Sequence, residues 1–183
     1  LDFAEFVRAA PDPRLVVIGG LSGTGKSTLA RALGCHIGRA PGARILRSDV
    51  LRKRIAGVAP EVRLPPRSYT AGTAQTVYRE IERLATQALA AGQSVIADAT
   101  FRRDDERDRI AEVARQAGVA FHGLWLRLDD RERFARVEAR PPEASDADLT
   151  VARSQTDAPV PLSDPWTCLE TVGTVASLRA NGA

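Results

Sequence analysis

The stretch Leu15-Val-Val-Ile18 followed by Gly19-Gly20-Leu21-Ser22-Gly23-Thr24-Gly25-Lys26-Ser27-Thr28 decides the fold. Gly20 to Ser27 is a complete G-x-x-x-x-G-K-[ST] phosphate-binding loop. The continuous apolar run ahead of it suits a parallel strand buried on both faces. The residues Ser27 to Leu33 that follow read as a helix. Strand, glycine loop and helix in that order are what the chemistry needs. Glycines let the backbone curl around a polyphosphate with successive N–H groups pointing inward, and the helix N-terminus adds partial positive charge. Gly20, Ser22, Gly23, Thr24, Gly25, Lys26, Ser27 and Thr28 are therefore the candidates for holding a nucleoside triphosphate. Lys26 can reach the outer phosphates, and the Ser27 hydroxyl can ligate Mg²⁺.

The bulk properties set no obstacle to this. A chain of 183 residues with 44% hydrophobic and 27% charged side chains is expected to form one soluble domain, spanning 1–183. No apolar run is long enough to cross a bilayer and no signal-peptide pattern opens the chain, so a cytoplasmic location is expected. Cys35 and Cys168 are isolated and read as buried or idle thiols. With only His36 and His122 besides, Cys/His metal sites are excluded; His122, in the apolar run from Phe121, reads as a core or strand-edge residue. The net charge of +3 is a mild basic bias, suited to phosphate ligands but too weak to indicate nucleic acid. Of 26 basic residues only Lys26 and Lys53 are lysines, and one of them sits in the loop. The sequence opens on Leu1 and has no methionine, which points to a piece of a longer protein.

Along the chain, helices are expected over 2–10, from Ser27 to about Gly38, 50–56, about 70–91, from Asp104 or Asp105 to Gln116, 129–140, from Ser145 to about Gln155, and 174–180. Strands are expected at 15–18, 43–47, 94–97, 121–128 and 166–172. The alternation implies an α/β fold, a parallel sheet covered on both faces by helices.

The phosphate loop alone does not separate kinases from GTPases and ATPases, but absences do. A GTPase carries an Asn-Lys-x-Asp guanine signature, and Asn181 is the only asparagine. Hydrolytic ATPases carry a Glu after the strand-end Asp to activate water, whereas Asp98 is followed by Ala99. What remains is transfer of a phosphoryl group to something other than water. That chemistry needs a carboxylate to take the acceptor's proton. Asp49 and Asp98 both fall at the carboxyl ends of strands, where open α/β sheets bind ligands. Asp49 is the candidate base, and Arg52, one helical turn on, can anchor an acceptor substituent. Asp98 is a candidate for the Mg²⁺ shell or for acceptor contact, with Thr100 beside it. Arg67 and Tyr69 precede the long helix and are candidate acceptor contacts. Arg133, Arg136 and Arg140 recur at i, i+3, i+7 and share one helix face, a candidate lid over ATP. Trp166 can stack on adenine, although a core or edge aromatic is the expected role.

Taken together, Gly-x-x-Gly-x-Gly-Lys-Ser-Thr at 20–28, Ser-Asp-x-x-Arg at 48–52 and Asp-Ala-Thr-Phe at 98–101 resemble the small P-loop kinases. That group includes polynucleotide 5′-kinases, gluconate kinases, zeta-type toxins and chloramphenicol phosphotransferases. The chain is most similar to a bacterial subgroup of predicted kinases with an AAA-type ATP-binding domain, whose members often follow an aminoglycoside-phosphotransferase-like domain. The resemblance implies a three-layer P-loop NTPase fold with five parallel strands in the order 2-3-1-4-5 and an arginine lid over about 129–158. It also implies that Lys26 and Ser27 handle ATP and Mg²⁺, Asp49 is the base, Arg52 binds acceptor, and Arg133 to Arg140 form the lid. The expected activity is ATP-dependent phosphorylation of a small-molecule hydroxyl. Two other readings stay open: a polynucleotide 5′-hydroxyl kinase, disfavoured by only 5% aromatics for stacking on bases, and an ATP-binding regulatory module without transfer.

Overall fold

The computed structural model describes residues 12–139, 146, 149–155 and 165–171. The expected helices at 2–10 and 174–180, the start of a helix at Ser145, and Arg140 lie outside them.

Five strands form one wholly parallel sheet: β1 (Arg14–Gly20), β2 (Arg44–Arg47), β3 (Val95–Asp98), β4 (Ala120–Arg127) and β5 (Trp166–Glu170). Their order is β2-β3-β1-β4-β5, as the resemblance implied. β1 is central, with Val16 paired to Ile96 on one side and His122 on the other. Its side chains alternate between two cores, which is why the run had to be apolar throughout. Leu15 and Val17 face one cluster with Val77, Ile81, Leu84 and Ile110; Val16 and Ile18 face the other with Leu29, Ala30 and Leu126.

The helices that cover these faces are α1 (Lys26–Gly34), α2 (Ser48–Ile55), α3 (Ala71–Ala90), α4 (Asp104–Ala117), α5 (Asp130–Glu138) and α6 (Leu149–Ser154). α3 is the main fastener of its face. Thr70 caps it by accepting from the Thr73 amide at 3.2 Å, and seven of its residues are buried. Full burial of each larger aliphatic among them is worth about 1.5–3 kcal/mol.

Three boundaries differ from expectation for local reasons. α1 ends at Gly34, not near Gly38, because the Gly34 carbonyl turns to accept the Ala43 amide at 2.8 Å and lead into β2. α2 begins at Ser48, so Asp49 lies within its first turn. α4 is capped at Arg103, not at Asp104 or Asp105; the Glu106 carboxylate takes the Arg103 amide at 3.3 Å, and all three acids fall in the first turn, where the helix dipole favours them.

Cys35 and Cys168 are both exposed, so of the two alternatives, buried or idle thiols, burial is excluded. His122 is exposed near the start of β4, a strand-edge position outside the core. Trp166 opens β5 and packs over Gly123 and against Phe121 (ring centroids 5.9 Å apart) and Phe101 (6.1 Å). It is a packing aromatic, not an adenine platform. No helix among the described residues is long and apolar enough to cross a membrane.

Candidate active site

The loop between β1 and α1 sits at the carboxyl edge of the sheet. Gly23 (φ +93°) and Gly25 (φ +94°) adopt left-handed conformations that let the chain reverse within the loop. At Gly23 a side chain is excluded twice over, since an added Cβ would stand 2.6 Å from the Arg133 carbonyl. Thr24 is 1% exposed and its hydroxyl is spent inside the loop on the Leu21 carbonyl at 2.8 Å. Lys26 Nζ donates to the same carbonyl at 2.8 Å, folded back along the loop. Ser22 is buried and Thr28 exposed at the first turn of α1.

Beside Lys26, the Ser27 hydroxyl donates to Asp98 Oδ2 at 2.6 Å, bridging α1 to the end of β3. These are hard oxygen donors, the chemistry that Mg²⁺ takes. Among the described residues no cluster of three His, Cys, Asp or Glu side chains is placed to hold a metal ion. Mg²⁺ here would therefore rest on Ser27, Asp98 and the phosphates of a nucleotide. Asp98 is 4% exposed, and burial pushes its carboxyl above the ordinary range, partly offset by Lys26, the Ser27 hydrogen bond and Arg47. Arg47 Nε stands 3.5 Å from Asp98 Oδ2.

The raised pKa has a testable sign. The folded protein keeps the Asp98 proton to higher pH than the unfolded chain, so stability falls as pH rises from the ordinary carboxylate range through the raised value. Asp98→Asn removes that penalty. Without nucleotide, its melting temperature is expected to match or exceed wild type at pH 8 and to converge on it near pH 4, while Mg²⁺-dependent nucleotide binding weakens. Thermal unfolding across pH reads the first effect and titration with Mg·AMPPNP the second.

Across the edge, Asp49 is half-buried, close enough to push the pKa values of both Asp98 and Tyr69 upward. Its carboxylate has no hydrogen-bond or ion-pair partner among the described residues. One turn on, the Arg52 guanidinium lies over the Tyr69 ring at 5.0 Å, and its Nε and Nη1 are buried without partners. Arg67 is exposed, away from any ion pair among the described residues. Thr100 is partly buried; its hydroxyl lies 3.0 Å from that of Tyr78, and its carbonyl takes the Gly20 amide at 3.2 Å. The next residue, Phe101, has φ +46°, a strain of order 1–3 kcal/mol in a non-glycine residue. Hydrogen bonds from the Phe101 amide to Tyr78 Oη (3.0 Å) and from Arg107 Nη1 to its carbonyl (2.8 Å) hold it there.

The arginine stripe divides. Arg133 is 1% exposed, and its guanidinium is wholly engaged: Asp130 at one edge, the Ser22 carbonyl (3.3 Å) and the Ala152 carbonyl (3.0 Å) at the other. It braces the back of the phosphate loop instead of facing its mouth, which departs from its expected place in a lid over ATP. Arg136 binds Glu132 and the Thr171 carbonyl, each at 3.1 Å, and its Nη1 lies beside the open side of Gly25.

Three site residues escaped the sequence reading. Gln155 accepts the Ser22 amide at 2.7 Å and donates to the Ser22 hydroxyl at 3.0 Å. Lys53, 1% exposed, pairs with Asp146 at 2.9 Å and donates to the Pro60 carbonyl at 2.7 Å. The one available signal was Lys53 itself, a lysine in a chain that otherwise uses arginine outside the loop.

Comparison with known proteins bears on the family and the fold. A family model described as an AAA domain matches residues 15–161. An uncharacterized protein of Mycobacterium tuberculosis (strain ATCC 25618 / H37Rv) is 39% identical over 93 residues. The match takes in 48% of this chain but 18% of that longer relative. Among solved structures, an APS kinase of Mycobacterium tuberculosis in complex with AMPPNP and APS superposes with TM-score 0.65 at 18% identity, covering 93% of this chain and 95% of that one. A gluconokinase from Sinorhizobium meliloti 1021 gives TM-score 0.60 at 18% identity over 90% of this chain and 86% of that one. At these identities the structures show a shared fold.

Proposed function

The chain belongs to the AAA domain family, and from that premise we propose that it is a Mg·ATP-dependent kinase that phosphorylates a hydroxyl of a small-molecule acceptor. The observation that carries this is Asp49: a carboxylate without a hydrogen-bond or ion-pair partner among the described residues, at the sheet edge near Asp98 and one helical turn from Arg52, whose Nε and Nη1 are buried without hydrogen-bond partners. The loop amides hold the phosphates, and Lys26 leaves the Leu21 carbonyl to join them. Ser27 and Asp98 would hold Mg²⁺, which when bound neutralises phosphate charge. Asp49 accepts the proton of the acceptor hydroxyl as its oxygen bonds to the γ-phosphorus; the bond from that phosphorus to the bridging oxygen breaks, and ADP carries the electron pair away. Arg52 anchors the acceptor, with Arg67, Tyr69 and Thr100 around it. Arg136 faces the nucleotide from α5, which serves as the lid helix. Ala99, where a hydrolase would carry a water-activating Glu, favours an acceptor over water. The fold of the two kinases above is consistent with this. The working location is the cytoplasm.

ADP formation across a panel of hydroxyl compounds tests the reading, with sugars, sugar acids and 5′-hydroxyl oligonucleotides as separate arms. Stimulation by a small hydroxyl compound is the expected result. Stimulation by oligonucleotides alone, weakening as salt rises, would transfer the reading to a polynucleotide kinase. Tight ATP binding with no ADP in any arm would make the domain a regulatory module.

A further inference from the structure

One short segment grips both halves of the site. At its start, Asp146 Oδ2 accepts the Leu64 amide at 3.0 Å and the Tyr69 hydroxyl at 2.6 Å, while Oδ1 pairs with the buried Lys53 at 2.9 Å. At its end, Gln155 holds the amide and hydroxyl of Ser22 in the phosphate loop, and Ala152 in α6 receives Arg133. Burial pushes the Asp146 carboxyl up, but its hydrogen bonds from Tyr69 and Leu64 and the Lys53 charge outweigh this and hold it below the ordinary range. The carboxylate is thus kept charged at one place on the acceptor loop. An ammonium as buried as that of Lys53 stands only where it is paired, so the contact is built in.

We propose that Asp146 is a positioning residue for the acceptor half, and that Asp146 and residues 149–155 together couple nucleotide occupancy to the order of the acceptor loop at 58–70. The inference rests on reading Asp49 and Arg52 as the acceptor half. Asp146 fixes the Tyr69 hydroxyl, and the Tyr69 ring is the platform on which the Arg52 guanidinium lies. If Asp146 lets go, Tyr69 turns freely and Arg52 loses its support. At the far end, a polyphosphate that fills the loop changes what Gln155 grips at Ser22. α6 is six residues long, about 9 Å, and begins three residues after Asp146 in the chain, so a change at Gln155 has a short way to travel. Coupling between two sites is reciprocal, so an ordered acceptor loop must in turn favour nucleotide.

Hydrogen exchange of the full chain, with and without Mg·AMPPNP, tests this without an acceptor. In wild type, the Leu64 amide and its neighbours in 58–70 are expected to change protection when the nucleotide saturates. In Tyr69→Phe and Asp146→Asn, exchange of that loop without nucleotide rises about five- to tenfold, the effect of a hydrogen bond lost. In Gln155→Ala, the loop keeps its resting protection and stops responding to nucleotide. Tyr69→Phe retains the ring and the Lys53–Asp146 pair, so it reports even where Asp146→Asn fails to fold. A loop indifferent to AMPPNP in wild type, or still responsive in Gln155→Ala, overturns the coupling. Unchanged exchange in Tyr69→Phe overturns the role of Asp146. Failure to find any phosphoryl acceptor would defeat the kinase reading and leave these exchange results standing.

Discussion

Asp49→Asn is expected to lower phosphoryl transfer by about 10²–10⁴-fold, the contribution of a general base, while Mg·AMPPNP affinity stays within about twofold of wild type. The substitution keeps the size and place of the side chain and removes only its ability to take a proton. Asp49 has no hydrogen-bond or ion-pair partner among the described residues, so no such contact is lost with its charge. The loss corresponds to about 2.7–5.4 kcal/mol of transition-state stabilisation, and it should appear in kcat, since the acceptor's other contacts remain. Transfer at the wild-type rate by Asp49→Asn, with ATP still bound, would remove Asp49 from the mechanism.

Arg133→Met is expected to act on stability first. Its guanidinium fills a buried site and satisfies the Ser22 and Ala152 carbonyls as well as Asp130. Two buried carbonyls left without a donor cost about 1–3 kcal/mol each, and a drop of roughly 3–5 kcal/mol in all lowers the melting temperature by about 6–20 °C for a domain of this size. Arg133→Lys should recover little, because one ammonium cannot reproduce a planar fork that reaches three acceptors. Were Arg133 instead a finger on the transferring phosphoryl group, the variant would melt like wild type and lose only kcat. Differential scanning calorimetry beside single-turnover kinetics separates the two.

The contrast between Arg133 and the phosphate loop shows what this sequence could reveal. Loop, strand and helix are contiguous, so their chemistry could be read from neighbours in the chain. The i, i+3, i+7 spacing likewise put Arg133 and Arg136 on one face of α5. It did not say what that face would meet, and depth along the face decides the outcome: Arg133 lies under the loop, Arg136 beside its mouth. Strand order came from the resemblance, since periodicity marks strands without ranking them. Lys53, Asp146 and Gln155 were illegible for a plainer reason. Their partners are distant, with Tyr69 and Asp146 77 positions apart in the chain and Ser22 and Gln155 133 apart, and a single polar residue has no period to betray its contact. The misplaced cap of α4 is a smaller case: Asp104 and Asp105 each made a plausible cap, but the cap fell one residue earlier, at Arg103, whose amide the Glu106 carboxylate takes.

The strand order has a kinetic side. β1 carries the phosphate loop, yet its two neighbours begin only at Val95 and Ala120, and no strand of the sheet is a hairpin partner of the one before it. Loop-closure entropy must be met before either pairing is rewarded, which places the domain among slow, non-local folders. Until β3 docks, the buried central strand has open edges on both sides, and until β4 docks one of them stays open, the state in which intermediates of such proteins aggregate. The nucleotide loop is thus made well before the strands that wall it.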